Sequence, residues 1–217
     1  MADGLKGDME RLFSPWGTTA GKPSFWHALE RVATRPGPLA LVLYRASHRL
    51  WERGFETLAE IIWRANLFLT GADIHPGAEI GGGLRLTHTS GLVIGRDARI
   101  GSNVTILHGV TIGGSGKAWF DPGYEDGFPV IGDDTDIMAG AKVLGPIKVG
   151  TGCFIGANAV LARDLPDGEA YLPGREVSDL RKRVTELEDQ IRELRGKASG
   201  PAKAPARKRR PPKSSDG

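Results

Sequence analysis

The chain has 217 residues, of which 40% are hydrophobic and 25% charged, a composition typical of a soluble globular protein. Glycine, at 31 residues, is strongly enriched, but there is no G-X-Y period and so no collagen. A single cysteine excludes an internal disulfide framework and any metal site built from several cysteines.

The charge is distributed unevenly along the chain. The net charge of +3 arises in residues 196–217, where seven Lys and Arg accompany one Asp, so the remainder is acidic. We therefore expect no specific nucleic-acid site on the folded part. The N-terminus lacks a basic-then-apolar signal pattern, and no apolar run approaches the roughly 18 residues needed to span a bilayer. These features predict a cytoplasmic protein without a membrane span.

Residues 1–23 are polar and contain Gly and Pro, and are expected to form a flexible N-terminus. Residues 24–70 are expected to form an N-terminal helical segment with three helices. Pro36, Gly37 and Pro38 are expected to separate the first helix from the second, and Gly54 the second from the third. The predicted helices are Phe25–Thr34, Leu39–Arg53 and Phe55–Leu69.

Residues 71–174 contain a six-residue repeat in which an aliphatic residue is usually followed by glycine. A period of six fits neither a helix nor plain strand alternation, but it is typical of a solenoid whose short strands join at tight corners. The fifth position of most units is also small or aliphatic, which predicts a second inward position. The repeated aliphatic residues are Ile74, Ile80, Leu86, Ile94, Ile100, Ile106, Ile112, Ile131, Ile137, Val143, Val149, Ile155 and Leu161.

Two interruptions break this repeat. Two extra residues lie between Leu86 and Ile94, and a longer departure over residues 113–130 is rich in Gly, Asp and aromatic residues. The longer one is interpreted as an excursion loop that leaves the solenoid. Cys153 falls on an inward fifth position, so we expect a small core residue there and not a nucleophile.

Residues 175–196 have apolar residues at alternating spacings of three and four, flanked by charges, which predicts a short coiled-coil helix. Val and Ile at one seam position and Leu at the other usually favour two strands. Residues 197–217 are rich in Pro, Ala, Lys and Arg and are expected to form a disordered basic tail.

Several segments resemble the serine O-acetyltransferases, a family of hexapeptide-repeat acyltransferases. They are LYRASHRLW, GADIHPGAEIG, GLVIGRDARIGSNVTILHGVTIGGSGK and AGAKVLGPIKVG. The resemblance implies a left-handed parallel β-helix, acetyl-CoA as co-substrate, no metal, and a homotrimer with acetyl-CoA in a groove between two subunits. We expect the larger β-helix interface, and not the coiled coil, to set the oligomer. The implied reaction is O-acetylation of a small acceptor, most simply L-serine.

The resemblance assigns catalysis to His88 and Asp73, which stand fifteen residues apart as in the family motif. An imidazole with an ordinary pKa near 6.5 can accept the acceptor hydroxyl's proton at neutral pH. The carboxylate would orient the ring and favour the imidazolium as it forms. No acyl-enzyme is expected. His75 is expected to stabilise the turn that follows Asp73.

Acceptor binding is assigned to His108 and Thr87. His108 occupies the same place in its hexapeptide as His88, one full turn later once the two extra residues are subtracted, so the two rings should lie on one face. Two roles stay open for His108, contact with the acceptor or a stacking residue without catalytic importance.

Acetyl-CoA binding is assigned by resemblance to residues of the excursion, the later repeats and the start of the C-terminal helix. Glycines allow a backbone to approach the pantetheine closely, and free N–H groups can stabilise a developing oxyanion. The cations are candidates for the CoA phosphates. The assigned residues are Gly114, Ser115, Lys117, Ala141, Lys142 and Arg175.

Three departures from the family pattern bear on the acceptor and the partner. Thr87 stands where the family has Asp, and Gly127 with Phe128 stand where it has an Arg-His pair that holds the ends of serine. A sugar or exopolysaccharide O-acetyltransferase is therefore the alternative, since the aromatic excursion (Trp119, Phe120, Tyr124, Phe128) would suit a sugar ring. The chain also ends in the basic tail and not in isoleucine, so docking to cysteine synthase is not expected.

Two further classes were weighed. Zinc-dependent carbonic anhydrases share the solenoid, but His75, His88 and His108 do not reproduce their histidine spacing. A non-catalytic scaffold would use the solenoid for assembly alone, and it predicts that replacing His88 changes no activity.

Overall fold

The computed structural model describes residues 2–13, 25–117, 121 and 127–198. The chain divides into two compact units, Met1–Gly174 and Arg175–Gly217. Trp119, Phe120 and Tyr124 of the excursion, and the tail from residue 199, lie outside the described residues. None of the described helices is both long enough and apolar enough to cross a bilayer.

The first unit is a parallel β-solenoid of about five turns, preceded by helices, which confirms the predicted fold class. Each turn contributes one strand to each of three sheets. The first sheet has the order β1-β4-β7-β10-β13, the second β11-β8-β5-β2, and the third β14-β12-β9-β6-β3. The strands in chain order are β1 Ala72–Ile74, β2 Glu79–Ile80, β3 Arg85–Leu86, β4 Leu92–Ile94, β5 Arg99–Ile100, β6 Thr105–Ile106, β7 Thr111–Gly113, β8 Val130–Ile131, β9 Asp136–Ile137, β10 Lys142–Leu144, β11 Lys148–Val149, β12 Phe154–Ile155, β13 Val160–Leu161 and β14 Ala170–Tyr171.

The strand register shows where the repeat is interrupted. Val93 pairs with Thr111, 18 residues on, which is one regular turn of three hexapeptides. Asp73 pairs with Val93, 20 residues on, because the first turn carries the two extra residues. Thr111 pairs with Lys142, 31 residues on, because the excursion adds thirteen. The excursion leaves after Gly113 and the chain re-enters at Val130.

The interior of the solenoid is filled by the two inward positions of each hexapeptide. All thirteen repeated aliphatic residues are buried. The fifth-position residues are buried too, including Cys153 and the polar Thr135. The Thr135 hydroxyl donates to Gly150 O at 3.1 Å, so burying it leaves no unpaired donor. The six-residue pattern thus reports the core directly.

Three helices precede the solenoid, α2 Phe25–Thr34, α3 Pro36–Glu52 and α4 Glu56–Thr70. Pro36 does not lie outside the second helix as predicted, but starts it. Proline is favoured in a first helical turn because the N–H it lacks would have no partner there, and Arg35 with its extended backbone forms the boundary. Gly54, at φ 80°, ends α3 as expected.

Residues 2–13 differ from the flexible segment that the sequence suggested, since they form a further helix, α1 Ala2–Phe13. The buried Asp8 carboxylate fixes α1 to the solenoid. It accepts from Arg45 Nε at 2.9 Å and from the backbone N–H of Leu84 at 2.9 Å. These partners are 37 and 76 residues away in the chain. Met1 and residues 14–23 lie outside the described residues.

The second unit contains α5, Arg175–Ala198, a helix of 24 residues. It covers the predicted coiled-coil segment and continues two residues beyond it. The described side chains of its seam, from Leu180 to Leu194, are exposed to solvent.

Candidate active site

The first predicted catalytic residue, His88, lies in the corner between β3 and β4. The N–H of Gly109 donates to Ser90 O and the N–H of Gly140 to His108 O, both at 2.9 Å, so Ser90 and His108 occupy equivalent rungs. One residue separates His108 from the end of its strand, whereas three separate Ser90 from β3. The two extra residues therefore belong to the segment that carries His88, and they enlarge this corner relative to those below it.

The rings of His88 and His108 contact each other. Their centroids are 5.8 Å apart with an interplanar angle of 74°, an edge-to-face arrangement. Both side chains are exposed. This confirms that the two histidines share a face, as the spacing predicts. Thr87 is exposed beside His88, and its own N–H continues the backbone ladder to Ile106 O.

Asp73 lies at the outward position in the middle of β1 and is half-buried. Its Oδ1 accepts a hydrogen bond from the indole Nε1 of Trp63 at 2.8 Å. Within the described part of the chain, no hydrogen bond or ion pair joins Asp73 to His88. Sequence reasoning did not identify Trp63, since a separation of ten residues between a helix and a strand carries no recognisable pattern.

A cluster of aromatic rings supports the turn after Asp73. His75 lies against Trp63, with ring centroids 4.7 Å apart, and against Trp51 at 5.3 Å. Its Nδ1 accepts the N–H of Gly77 at 2.9 Å, which fixes the turn and requires that nitrogen to be unprotonated. Burial, and then the positive charge of Arg96, lower the pKa of His75. His75 is therefore neutral and structural, as expected.

The glycine-rich segment follows β7. A side chain added at Gly113 would meet no atom, so this backbone is open to an approaching ligand. Gly116 has φ 70°, a conformation that favours glycine. The backbone N–H of Lys117 donates to the Ser115 hydroxyl at 3.3 Å, which closes a small turn. Gly114 lies between these residues and is half-buried.

The remaining candidates for acetyl-CoA binding are placed differently from one another. Ala141 is fully buried, with its N–H and its carbonyl both in backbone hydrogen bonds. The ammonium of Lys142 donates to Gly109 O at 2.6 Å and to the Thr111 hydroxyl at 3.0 Å, so it lies beside the corner of His108. The side chain of Arg175 lies outside the described set. Across residues 2–13, 25–117, 121 and 127–198, no group of His, Cys, Asp and Glu could hold a metal ion.

Phe128 lies where the excursion returns to the solenoid. Its ring packs over Gly95 and against the core, and any side chain at position 95 would collide with it. Gly127 is equally constrained, because a Cβ there would come within 2.7 Å of Pro146. These residues therefore shape the return of the loop.

Comparison with known proteins adds a family match and relatives that span much of the chain. Residues 128–163 match the family model described as bacterial transferase hexapeptide (six repeats). The serine acetyltransferase of Bacillus subtilis is 40% identical over 184 residues, 83% of this chain and 79% of that protein. The serine acetyltransferase of Mycobacterium tuberculosis is 47% identical over 139 residues. That alignment covers 64% of this chain and 58% of the relative, so the chain spans under two thirds of that protein.

Solved structures agree with the sequence matches. The serine acetyltransferase of Neisseria gonorrhoeae in complex with serine aligns with a TM-score of 0.66 and 33% identity, over 78% of this chain and 65% of that one. A serine acetyltransferase in complex with CoA aligns with a TM-score of 0.65 and 29% identity, over 77% of this chain and 65% of that one.

Proposed function

We propose that this chain, which belongs to the serine acetyltransferase family, transfers the acetyl group of acetyl-CoA to the hydroxyl of L-serine. The observation that carries the proposal is the pair of exposed imidazoles of His88 and His108 on one solenoid face. The pair lies on a fold whose solved relatives include complexes with serine and with CoA. An exposed imidazole can exchange its proton with a bound acceptor at neutral pH.

In the proposed reaction His88 accepts the hydroxyl proton as the oxygen attacks the thioester carbon. The new ester C–O bond forms, the C–S bond breaks, and the proton passes from His88 to the departing thiolate of CoA. Asp73 orients the ring of His88 and stabilises its protonated form. Because the acceptor attacks directly, no acyl-enzyme forms. The backbone around Gly113 and Gly114 lies beside the thioester and stabilises the developing oxyanion.

We further propose that three copies assemble and that each acetyl-CoA lies between two solenoids. Lys117, Lys142 and Arg175 are assigned to the CoA phosphates, with Ser115 and Ala141 along the pantetheine arm. Lys142 supports its share of this assignment, because its ammonium lies beside the corner of His108. Thr87 and His108 are assigned to the acceptor.

A sugar acceptor is the second candidate, favoured by the absence of the Arg-His pair that the family uses for serine. The packing of Phe128 weakens it, since this ring is engaged with Gly95 and the core and offers no free platform for a sugar. Serine therefore remains the leading acceptor.

The test measures thiol release from acetyl-CoA by the full chain with L-serine and, separately, with a panel of sugars. We expect serine to give a rate well above that with water, and His88→Asn and Asp73→Asn each to lower kcat by about 10² to 10⁴. Asp189→Asn on α5 is the matched control and should leave the rate unchanged. A sugar-dependent rate without a serine-dependent one would replace serine as the acceptor.

A further inference from the structure

The helix α5 carries a narrow apolar stripe on an otherwise polar surface. Its spacing of 4-3-4-3 puts Leu at one position of a seven-residue repeat and Val or Ile at the other. Each of these side chains is 47–65% exposed. Two apolar positions in seven make a stripe narrower than a helix needs to pack on a globular core, and characteristic of a coiled-coil seam. The described residues of the stripe are Leu180, Val184, Leu187, Ile191 and Leu194.

We propose that α5 binds the same helix of a second copy of this chain, parallel and in register, as a two-helix coiled coil. In a parallel pair each seam position faces its own copy, so β-branched residues face β-branched residues and Leu faces Leu. Val184 and Ile191 then form one kind of layer and the leucines the other. This segregation is the combination that favours parallel two-stranded pairs.

The charges beside the seam fit the parallel arrangement. With Val184 and Ile191 at the first heptad position, Arg183 flanks the seam on one side and Glu188, five residues on, flanks it on the other. In a parallel pair these two positions meet across the interface, and the two-fold symmetry makes the attraction twice. The next such pair joins Gln190 to Arg195 and brings no like charges together. Charge complementarity thus selects a second copy of this helix as the partner.

The opposite face of α5 is polar. Asp189 and Arg192 form an exposed ion pair at 3.4 Å there, with side chains 65% and 81% exposed. Lys182 and Glu186 lie on the same side of the helix and are also exposed. A membrane-surface helix has a wider apolar face with aromatic residues and a predominantly basic polar face. The mixed charges and the narrow aliphatic stripe favour a protein partner over a lipid surface.

Cysteine cross-linking in the full chain tests the orientation. The native Cys153 is buried in the solenoid and does not compete for oxidation. A parallel, in-register pair brings the two copies of Leu194→Cys within the separation of about 7 Å that a disulfide allows. An antiparallel pair separates them by roughly 20 Å, because fourteen or more residues of helix lie between the facing positions. Asp189→Cys, on the polar face, is the matched control.

We expect mild oxidation to convert most of the Leu194→Cys protein to a covalent dimer and to leave Asp189→Cys uncrosslinked. No dimer from Leu194→Cys, or equal cross-linking of both variants, overturns the proposal. The charge pair is then tested in the Leu194→Cys background. Glu188→Arg should slow cross-linking several-fold, and adding Arg183→Glu should restore it. A double variant as slow as the single one also overturns the parallel pairing. Neither readout depends on acetyl transfer.

Discussion

The indole N–H of Trp63 and the Oδ1 atom of Asp73 form a hydrogen bond of 2.8 Å between helix α4 and strand β1. A neutral donor on one carboxylate oxygen restricts rotation of the carboxylate and leaves the second oxygen available for the imidazole that the mechanism requires. Trp63 is therefore expected to act as a positioning residue, since it acts on the reaction only through Asp73.

Replacing Trp63 with Phe keeps an aromatic ring against His75 and removes the donor. We expect kcat to fall by about tenfold, as for a loss of about 1.4 kcal/mol of transition-state stabilisation, with little change in KM for acetyl-CoA. Steady-state kinetics check this, with Trp26→Phe on α2, where the side chain is 72% exposed, as control. Equal kinetics for wild type and Trp63→Phe would show that the hydrogen bond is only structural.

The two histidines of the corner should separate kinetically. His88→Asn removes the proposed base and should lower kcat by at least about 10²-fold. If His108 contacts the acceptor, His108→Asn should raise KM for serine several-fold while kcat changes little. Unchanged kinetics for His108→Asn would assign that residue to the second role, in which it only stacks on His88.

The lowered pKa of His75 makes stability depend on pH in one direction. The unfolded chain takes up a proton on this ring below its ordinary pKa of 6.5, whereas the folded chain resists it. Stability from this residue is therefore complete above about pH 6.5 and is lost as the pH falls toward the folded value. His75→Asn retains an acceptor for the Gly77 N–H but does not titrate. Urea unfolding at pH 7.5 and 5.5 should show a smaller acid destabilisation for the variant than for wild type.

The ion pair between Asp8 and Arg45 should be necessary for docking α1. Asp8→Ala leaves the buried guanidinium of Arg45 without its carboxylate, a change that costs about 3–5 kcal/mol in comparable buried pairs. We expect a lower unfolding midpoint and faster proteolysis near residue 13. Glu10→Ala, an exposed position on the same helix, serves as control and should behave as wild type. Similar unfolding of both variants would contradict the anchoring role.

Two glycines allow a test of how Phe128 is seated. Gly95→Ala places a methyl group where the ring of Phe128 lies, whereas Gly113→Ala places one in open space. Overpacking of this kind costs about 1–3 kcal/mol, so Gly95→Ala should lower the melting temperature and Gly113→Ala should not. If acetyl-CoA approaches the backbone at Gly113, that second variant should instead raise KM for acetyl-CoA. Identical melting curves would mean that the loop return adjusts freely.

How much was predictable from sequence depends on the range of the interactions. The inward residues of the solenoid, such as Ile106 and Val110, follow a local six-residue rule, and the structure buries both. The stacking of His88 on His108 also followed, because regular turns convert chain separation into position. The helix α1 did not, since Gly4 and Gly7 weaken its local signal. Its anchor Asp8 finds partners dozens of residues away, and Trp63 approaches Asp73 only through the packing of α4.

The pairing across the excursion has an evolutionary consequence. Thr111 and Lys142 meet in the same register as any other neighbouring rungs, although thirteen additional residues intervene. The framework is therefore indifferent to what the inserted segment contains, and selection can rewrite that segment without disturbing the stacked layers beneath it. Changes in substrate preference along such a lineage would be recorded mainly between Gly113 and Val130, while the supporting coil stays constant.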